Sequence, residues 1–363
     1  MPAATWTAIR FLTSNMKSNR PLFIIIVLLA IWCLVLTLII ADRKDSSSDE
    51  NVNVVTVDGF STDFTKIVES NKSSIVTIDA EGTISSGFIY LQDGDRVYVV
   101  TAYHGVSDTR NIDVVFDSYY RTHGNVLGFD IYADICVLEI EIPFNVNPLK
   151  LGDNSLLSDG EFVLSIGTPK SLDYKGSVEL GMVSSKLRTI ENSIIYDTSD
   201  YTYFADLIQL SSLLQPGYSG SPLLNMSGEV VGVSTMAKED GLSFAFPINE
   251  IKIIADKIIK GEEYHKLQLG ISGYYLSDMP NYEKNNLNLG IDVIDGLYVN
   301  KVKDNNLGSV FGIKAGDVIT DINGHPLKSN SDYLSIVYSG SKELVFTVIR
   351  GGERIELTGT INA

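Results

Sequence analysis

From Ile75 onward the chain is written in short β-prone runs separated by glycine and polar turns: SIVTID, SSGFIYL, RVYVVTAYH, IDVVF, ICVLEIEI, EFVLSIG, GSVELGMVSS, FADLIQL, GEVVGVSTM and LSFAFPI. Ten such runs with turn signals between them predict an all-β barrel or sandwich and argue against alternating β and α elements. After Pro247, INEIKIIADKIIKG carries apolar residues at helical spacing and stops at Gly261, as a helix closing this unit does. A second unit begins near Tyr264, with strands around LYVNKV, DVITDING and ELVFTVIR and a short helix in SDYLSIVYSG between the last two. Two globular units agree with a length of 363 residues, too long for one ordinary core.

Upstream of the β-rich part, Leu22 to Ile40 (LFIIIVLLAIWCLVLTLII) runs for 19 residues without a charge. As a helix it measures roughly 28 Å, close to the hydrocarbon thickness of a bilayer, so 22–40 is expected to be a transmembrane helix. A cleaved signal peptide is the competing reading, but the apolar core is longer than the usual h-region, and Ile39 stands where a small residue precedes a cleavage site. Arg10, Lys17 and Arg20 precede the span with no acid among them, whereas Arg43 and Lys44 beyond it are mixed with Asp42, Asp45, Asp49 and Glu50. The positive-inside rule then makes 1–21 a cytoplasmic N-terminal segment. Everything after residue 41 lies on the extracytoplasmic side, and the Ser-rich, polar stretch 41–62 reads as a linker.

Composition excludes more than it assigns. Forty-five acidic against 28 basic side chains leave a net charge of -17, which repels phosphate backbones, so nucleic acid is not an expected partner. The two cysteines, Cys33 in the apolar span and Cys136 in a later strand, form neither a sensible disulfide nor a metal cluster. No ligand spacing indicates a metal, and no cofactor is expected.

Three local signals point to one chemistry. In VVTAYHGV, His104 ends an apolar strand; in DIYADICVLEI, Asp134 stands just before one; in QPGYSGSPLLN, Gly217, Ser219 and Gly220 form a tight loop. Taken singly, each has an ordinary structural reading: a lone histidine, a turn aspartate, a Gly/Ser hairpin. Together, in the order His, Asp, Ser on one β-rich unit, they match the parts that acyl transfer by a serine requires. These are a base beside the hydroxyl, an acid that orients the base, and backbone N–H groups, here of Gly217 and Ser219, for the tetrahedral oxyanion.

With those residues in view, the chain resembles the HtrA branch of the chymotrypsin-like serine peptidases, most closely its single-PDZ, membrane-tethered DegS-like members. The resemblance rests on TAYHGV, ADICVLEI and PGYSGSP, and on GSVELGMVSS, DLIQLSSLLQPG and GLSFAFPIN. It implies a mainly β protein: a chymotrypsin-like double β-barrel protease domain over 63–261 and a PDZ domain over 264–363, preceded by the transmembrane helix. His104, Asp134 and Ser219 become the catalytic triad. GLSFAFPIN is taken as the strand that pairs with substrate, with Leu213, Ser243, Phe244 and Ala245 as substrate-binding residues. Cleavage after small or medium aliphatic residues is expected, and Leu242 stands where glutamate-specific relatives carry a histidine. Tyr218 replaces the family's Asn before the nucleophile and Ser221 the second glycine after it. A bulky residue at 218 bears on the oxyanion loop and sustains an alternative reading, a catalytically weak, membrane-tethered peptide-binding or chaperone-like protein on the same fold.

KLQLGISGYYL, GLYVNKV and GIKAGDVITDINGHPL resemble a PDZ domain of the HtrA kind, whose peptide-binding loop falls on Leu269, Gly270 and Ile271. Such a loop captures the C-terminal carboxylate of a partner peptide that adds a strand to the sheet edge. The resemblance further implies unfolded or regulatory protein substrates, stress-response work, a homotrimer, and an inner-membrane location with both domains on the periplasmic or extracytoplasmic side. Aromatic residues near the protease N-terminus build such trimers and Phe60 and Phe64 stand there, but two Phe residues beside a linker are more often plain core. His123 and His325 read as exposed turn residues.

Overall fold

The computed structural model describes residues 64–196, 199–237, 241–263, 267–287, 289 and 293–361, together with 28, 29, 31, 32 and 34. Residues 1–21, nearly all of the expected span 22–40, the linker 41–62, Phe60 and Tyr264 lie outside the described residues. Among the described residues no helix is long and apolar enough to cross a membrane. The chain divides after Thr62, and Asp63–Ala363 is one compact unit.

That unit opens with helix α1 (Phe64–Asn71), which buries Ile67. Seven strands follow: β1 (Ile75–Ala80), β2 (Thr83–Asp93), β3 (Arg96–Ala102), β4 (Ile112–Val115), β5 (Arg121–His123), β6 (Asn125–Asp130) and β7 (Ile135–Glu141). They form one sheet in the order β5-β4-β1-β2-β3-β7-β6. Its outer strands β5 and β6 are separated in the chain by Gly124 alone. The sheet therefore rolls up until its two edges meet, which is how an open seven-stranded order takes the place of the closed first barrel expected from the sequence. The inward residues, among them Val76, Ile78, Ile89, Val97, Val99, Val114, Leu138 and Ile140, make an apolar core. Cys136 belongs to that core.

The second half is a closed barrel of β8 (Phe162–Gly167), β9 (Ser177–Tyr196), β10 (Ser199–Leu210), β11 (Pro222–Leu224), β12 (Val230–Ala237) and β13 (Ser243–Pro247), in the order β10-β13-β12-β11-β8-β9. Strands β9 and β10 form a hairpin much longer than GSVELGMVSS alone indicated. Between the halves, Phe88, Val100, Ile135 and Val137 from the sheet join Leu164, Ile166 and Leu207 from the barrel in one cluster. Helix α2 (Ile248–Lys260) lays Ile248, Ile251, Ile254 and Ile258 onto it and ends at Gly261, whose left-handed φ of 65° lets its N–H reach back to Ile258 and Lys257.

The C-terminal part is a six-stranded sheet of β14 (Ile271–Tyr275), β15 (Leu297–Val302), β16 (Val318–Ile322), β17 (His325–Pro326), β18 (Glu343–Arg350) and β19 (Glu353–Thr360). Short helices α3 (Asn281–Asn286), α4 (Leu307–Val310) and α5 (Asn330–Val337) complete it. Helix α5 starts in a capping box made by Ser329 and Asp332. Asp317, 1% exposed, fixes the turn before β16: it receives two bonds of 2.7 Å from the Arg350 guanidinium and one of 2.8 Å from the Lys314 N–H. Replacing Asp317 by Ala strands that guanidinium and an amide. The expected cost is roughly 3 kcal/mol, read as a lower urea midpoint by circular dichroism.

Candidate active site

Strands β3 and β7 are antiparallel neighbours, and their last and first residues, Ala102 and Ile135, are paired. The residues just beyond those ends therefore meet. Asp134 adopts a φ of 50° that turns it toward the end of β3. Its carbonyl accepts from the Tyr103 N–H at 3.0 Å and its Oδ1 from the His104 N–H at 2.9 Å. The 30-residue spacing between His104 and Asp134 is the length of the excursion through β4, β5 and β6. Ser219 arrives from the other half, on the loop between β10 and β11, and its carbonyl accepts from the Ser86 N–H at 2.8 Å.

The three side chains form one line. Asp134 Oδ2 lies 2.7 Å from His104 Nδ1, and His104 Nε2 lies 2.9 Å from Ser219 Oγ. A carboxylate only accepts, so Nδ1 carries the hydrogen, and in the neutral ring Nε2 is left to accept from the Ser219 hydroxyl. Burial pulls the imidazole's pKa down, but 37% of the side chain is exposed. The hydrogen bond and charge of Asp134 outweigh that partial desolvation and hold the pKa above the ordinary histidine value. Thr235 on β12, which nothing in the sequence singled out, donates its hydroxyl to Asp134 Oδ2 at 2.7 Å. A threonine inside GEVVGVSTM reads as an ordinary strand residue, so the sequence carried no signal for it.

The loop before the nucleophile supplies the electrostatics. Gly217 has a φ of 103°, and a Cβ there would fall 2.2 Å from the Thr168 carbonyl. Only glycine fits. Among the described residues neither the Gly217 N–H nor the Ser219 N–H has an acceptor, which leaves two donors beside Ser219 Oγ for a developing oxyanion. Tyr218 does not obstruct them. It is 4% exposed and packs inside the closed barrel with Leu214, Leu223, Val231 and Ala245. Burial, with the charge of Glu179 behind it, pushes its phenol up to about 12. Gly167 makes the room, since a Cβ there would come within 2.8 Å of the Tyr218 ring. Ser221 is likewise absorbed: its hydroxyl lies 3.0 Å from that of Ser165 in a buried cluster that includes Ser234.

The expected substrate strand needs correction. Strand β13 has β10 on one side and β12 on the other, so it offers no edge to a peptide. Ser243, Phe244 and Ala245 are buried; the Ser243 hydroxyl accepts from the Leu214 N–H at 2.9 Å, and Phe244 points into the core cluster. Leu213 alone of the four is exposed, at 57%. The open edge belongs to β12: its pairing with β11 ends at Val233, while β13 covers its opposite side as far as Ala237. Among the described residues nothing pairs with the outer edge of 235–237, which starts at the threonine that touches Asp134.

In the C-terminal part, Leu269 is buried, Gly270 has a φ of 65°, and Ile271 opens β14. The groove between this loop and Tyr333 and Leu334 of α5 is roofed by Leu187, Thr189, Phe204, Asp206 and Glu250 of the first part. About 40 Å³ remains, room for water and not for a peptide. Phe64 packs on the core cluster, as a core residue does, and His123 and His325 are exposed.

For catalysis the imidazole must be neutral, so a raised pKa places the acid limb of kcat/KM above the ordinary 6.5 of histidine. Asp134→Asn removes both raising causes. The limb is expected to move to lower pH while kcat falls about 10⁴-fold, measured as a pH–rate profile. Thr235→Val removes one donor from the carboxylate and is expected to lower kcat roughly tenfold.

Residues 85–233 match the trypsin-like peptidase domain family, and residues 269–360 match the PDZ domain family. Among curated relatives, a protein of Staphylococcus epidermidis described as "Serine protease HtrA-like" is 29% identical over 364 residues, covering 93% of this chain and 61% of the relative. The "Serine protease Do-like HtrB" of Bacillus subtilis is 32% identical over 285 residues, covering 76% of this chain and 61% of the relative. The chain thus spans about 61% of the length of these two relatives. The solved structure described as "HtrA-type protease AlgW with tripeptide" has the same fold, with a TM-score of 0.57, 22% identity, and coverage of 82% of this chain and 96% of that one. The chain therefore carries a trypsin-like peptidase domain followed by one PDZ domain, and it is a homologue of HtrA-like serine proteases.

Proposed function

We propose that this chain is a membrane-anchored serine endopeptidase of the HtrA type that cleaves unfolded or regulatory proteins. The observation that carries the reading is the unbroken hydrogen-bonded line Asp134–His104–Ser219 beside the two unclaimed N–H groups of Gly217 and Ser219. Ser219 Oγ attacks the scissile carbonyl while His104 Nε2 takes its proton. The imidazolium is stabilised by the Asp134 carboxylate, and the oxyanion settles between the two amides. His104 then returns the proton to the leaving amine, and a water molecule, deprotonated by the same base, releases the acyl group. The outer edge of 235–237 is the natural place for a substrate strand to add beside Ser219. The loop Leu213–Pro216 carries no charge, which supports cleavage after small or medium aliphatic residues.

In this reading 22–40 anchors the enzyme in the inner membrane with its N-terminus in the cytoplasm, the working parts face the periplasmic side, and the assembly is a homotrimer engaged in stress response. The PDZ domain binds C-terminal peptides and regulates the protease. Because Asp206, Glu250 and their neighbours of the peptidase part line its groove and leave about 40 Å³, a peptide is expected to enter as the two domains part. The alternative, a weak tethered peptide-binding protein, rested on Tyr218, and the burial of that ring inside the barrel favours the enzyme.

The test is degradation of casein by the full-length chain in detergent, wild type against Ser219→Ala, with labelling by a fluorophosphonate and a library of C-terminal peptides. Cleavage and labelling that both vanish in the alanine variant are the expected result, with stimulation by apolar C-termini. A chain that binds the peptides yet neither cleaves nor labels would establish the binding protein instead, and a cleavage profile dominated by Glu, Lys or Arg would overturn the specificity.

A further inference from the structure

An oxyanion hole made of backbone amides works only if the neighbouring carbonyls point elsewhere, and each carbonyl from Pro216 to Ser219 has a partner that holds it away. The Pro216 carbonyl accepts from the Lys170 N–H at 2.9 Å, and that of Tyr218 from the Ser221 N–H at 2.8 Å. The remaining two converge on one residue. Ser86, on β2, gives its N–H to the Ser219 carbonyl at 2.8 Å and its hydroxyl to the Gly217 carbonyl at 2.6 Å. Ser86 is fully buried, and its oxygen also accepts from the Thr168 N–H at 2.9 Å. Its carbonyl accepts from the Thr101 hydroxyl at 2.7 Å, which fixes the residue to β3.

The direction of the hydroxyl proton follows from these partners. The Thr168 amide can only donate and the Gly217 carbonyl can only accept, so the Ser86 hydrogen lies on the Gly217 side. Gly217 is the residue in the loop least able to hold its own conformation, because without a Cβ the peptides on both sides of it rotate freely. A carbonyl left buried and unpaired there seeks a new donor, and turning inward brings it toward the site the oxyanion needs. Gly167 is shaped for the same purpose. A Cβ at that position would stand 2.7 Å from Ser86 Oγ as well as 2.8 Å from the Tyr218 ring, so one glycine admits both groups that pin the loop.

From this we infer that Ser86 is a positioning residue of the catalytic site: its hydroxyl, held by the Thr168 amide, and its own N–H fix the Gly217 and Ser219 carbonyls, in the peptide units adjoining those that carry the Gly217 and Ser219 amides, and so keep both amides aimed at the transition-state oxyanion. The inference rests on the protease reading above. It assigns no contact with substrate to Ser86, and a purely structural serine in a buried strand is the competing role.

The experiment compares wild type, Ser86→Ala and Ser86→Cys in the full-length chain with a peptide substrate, a peptidyl boronic acid that forms a tetrahedral adduct, and a pH–rate profile. In Ser86→Ala, kcat is expected to fall about 100-fold with KM unchanged, the scale of losing one oxyanion donor. Boronate affinity falls in parallel, and the acid limb set by His104 stays where it is. Ser86→Cys, a weaker donor, is expected to lie between the two, and it carries the test if the alanine variant does not fold. A kcat equal to wild type, or a loss confined to KM or to thermal stability, overturns the role of Ser86 while leaving the protease intact. A wild-type chain that neither cleaves nor binds the boronate overturns the protease reading, and this inference with it.

Discussion

The carboxylate of Asp134 is the point at which the two halves of the peptidase domain are tied together. One oxygen takes the backbone amide of His104, at the end of a strand in the rolled sheet; the other takes the His104 ring and the hydroxyl of Thr235, from the closed barrel. A buried charge is costly unless its bonding capacity is filled. Here it is filled only when the strand ends β3 and β7 are in register and β12 lies across them. The satisfaction of one anion therefore demands the relative placement of both halves, and that placement carries Ser219 to the imidazole. Catalytic geometry and domain assembly are the same constraint seen from two sides.

Much of this was legible in the residue order. His104 and Asp134 flank apolar runs that had to be strands, and a base and an acid at strand ends meet only if those strands are neighbours, which they are. The Gly217–Ser219 loop was legible only together with those two residues, since alone it reads as a Gly/Ser hairpin. Strand neighbours, by contrast, cannot be read from a run of ten similar strands. GLSFAFPIN looks like an edge strand until the barrel closes around it, and the open edge lies at 235–237 instead. The direction of Tyr218 was hidden for a related reason. Whether a bulky residue before the nucleophile blocks the site or fills the core depends on Gly167, 51 positions earlier in the chain. Ser86 and Thr235 gave no signal at all, because serine and threonine are ordinary strand residues until their hydroxyls find a carbonyl or a carboxylate.

The departures from the family pattern around the nucleophile are compensated as a set. Tyr218 exchanges a small polar side chain for an aromatic one, and Gly167 leaves the volume empty that the ring occupies. Ser221 adds a hydroxyl where the family has none, and Ser165 and Ser234 provide polar company for it inside the barrel. The loop backbone stays bonded with both residues in place, since the amides of Tyr218 and Ser221 are engaged within it, with Gln215 and Tyr218 as acceptors.

The contact between the two domains rests mainly on apolar packing. Apolar residues of the PDZ domain, including Leu269, Ile271 and Tyr275, continue the cluster that holds α2 to the barrel. The buried Tyr338 hydroxyl donates to Glu250 of α2 at 2.8 Å. The ion pairs at the rim, Lys186 with Asp278 and Lys303 with Glu191, are solvent-exposed and are worth about 0–1 kcal/mol each. Resistance to separation thus comes from the apolar seam and the Tyr338–Glu250 bond, not from the charges. On the peptidase side the groove beside Leu269 and Gly270 is lined by Leu187, Thr189, Phe204 and Asp206, all from the β9–β10 hairpin. Strand β9 pairs with β8, whose last residue, Gly167, abuts Tyr218 and Ser86. Two adjacent strands thus connect the lining of that groove to the loop before the nucleophile.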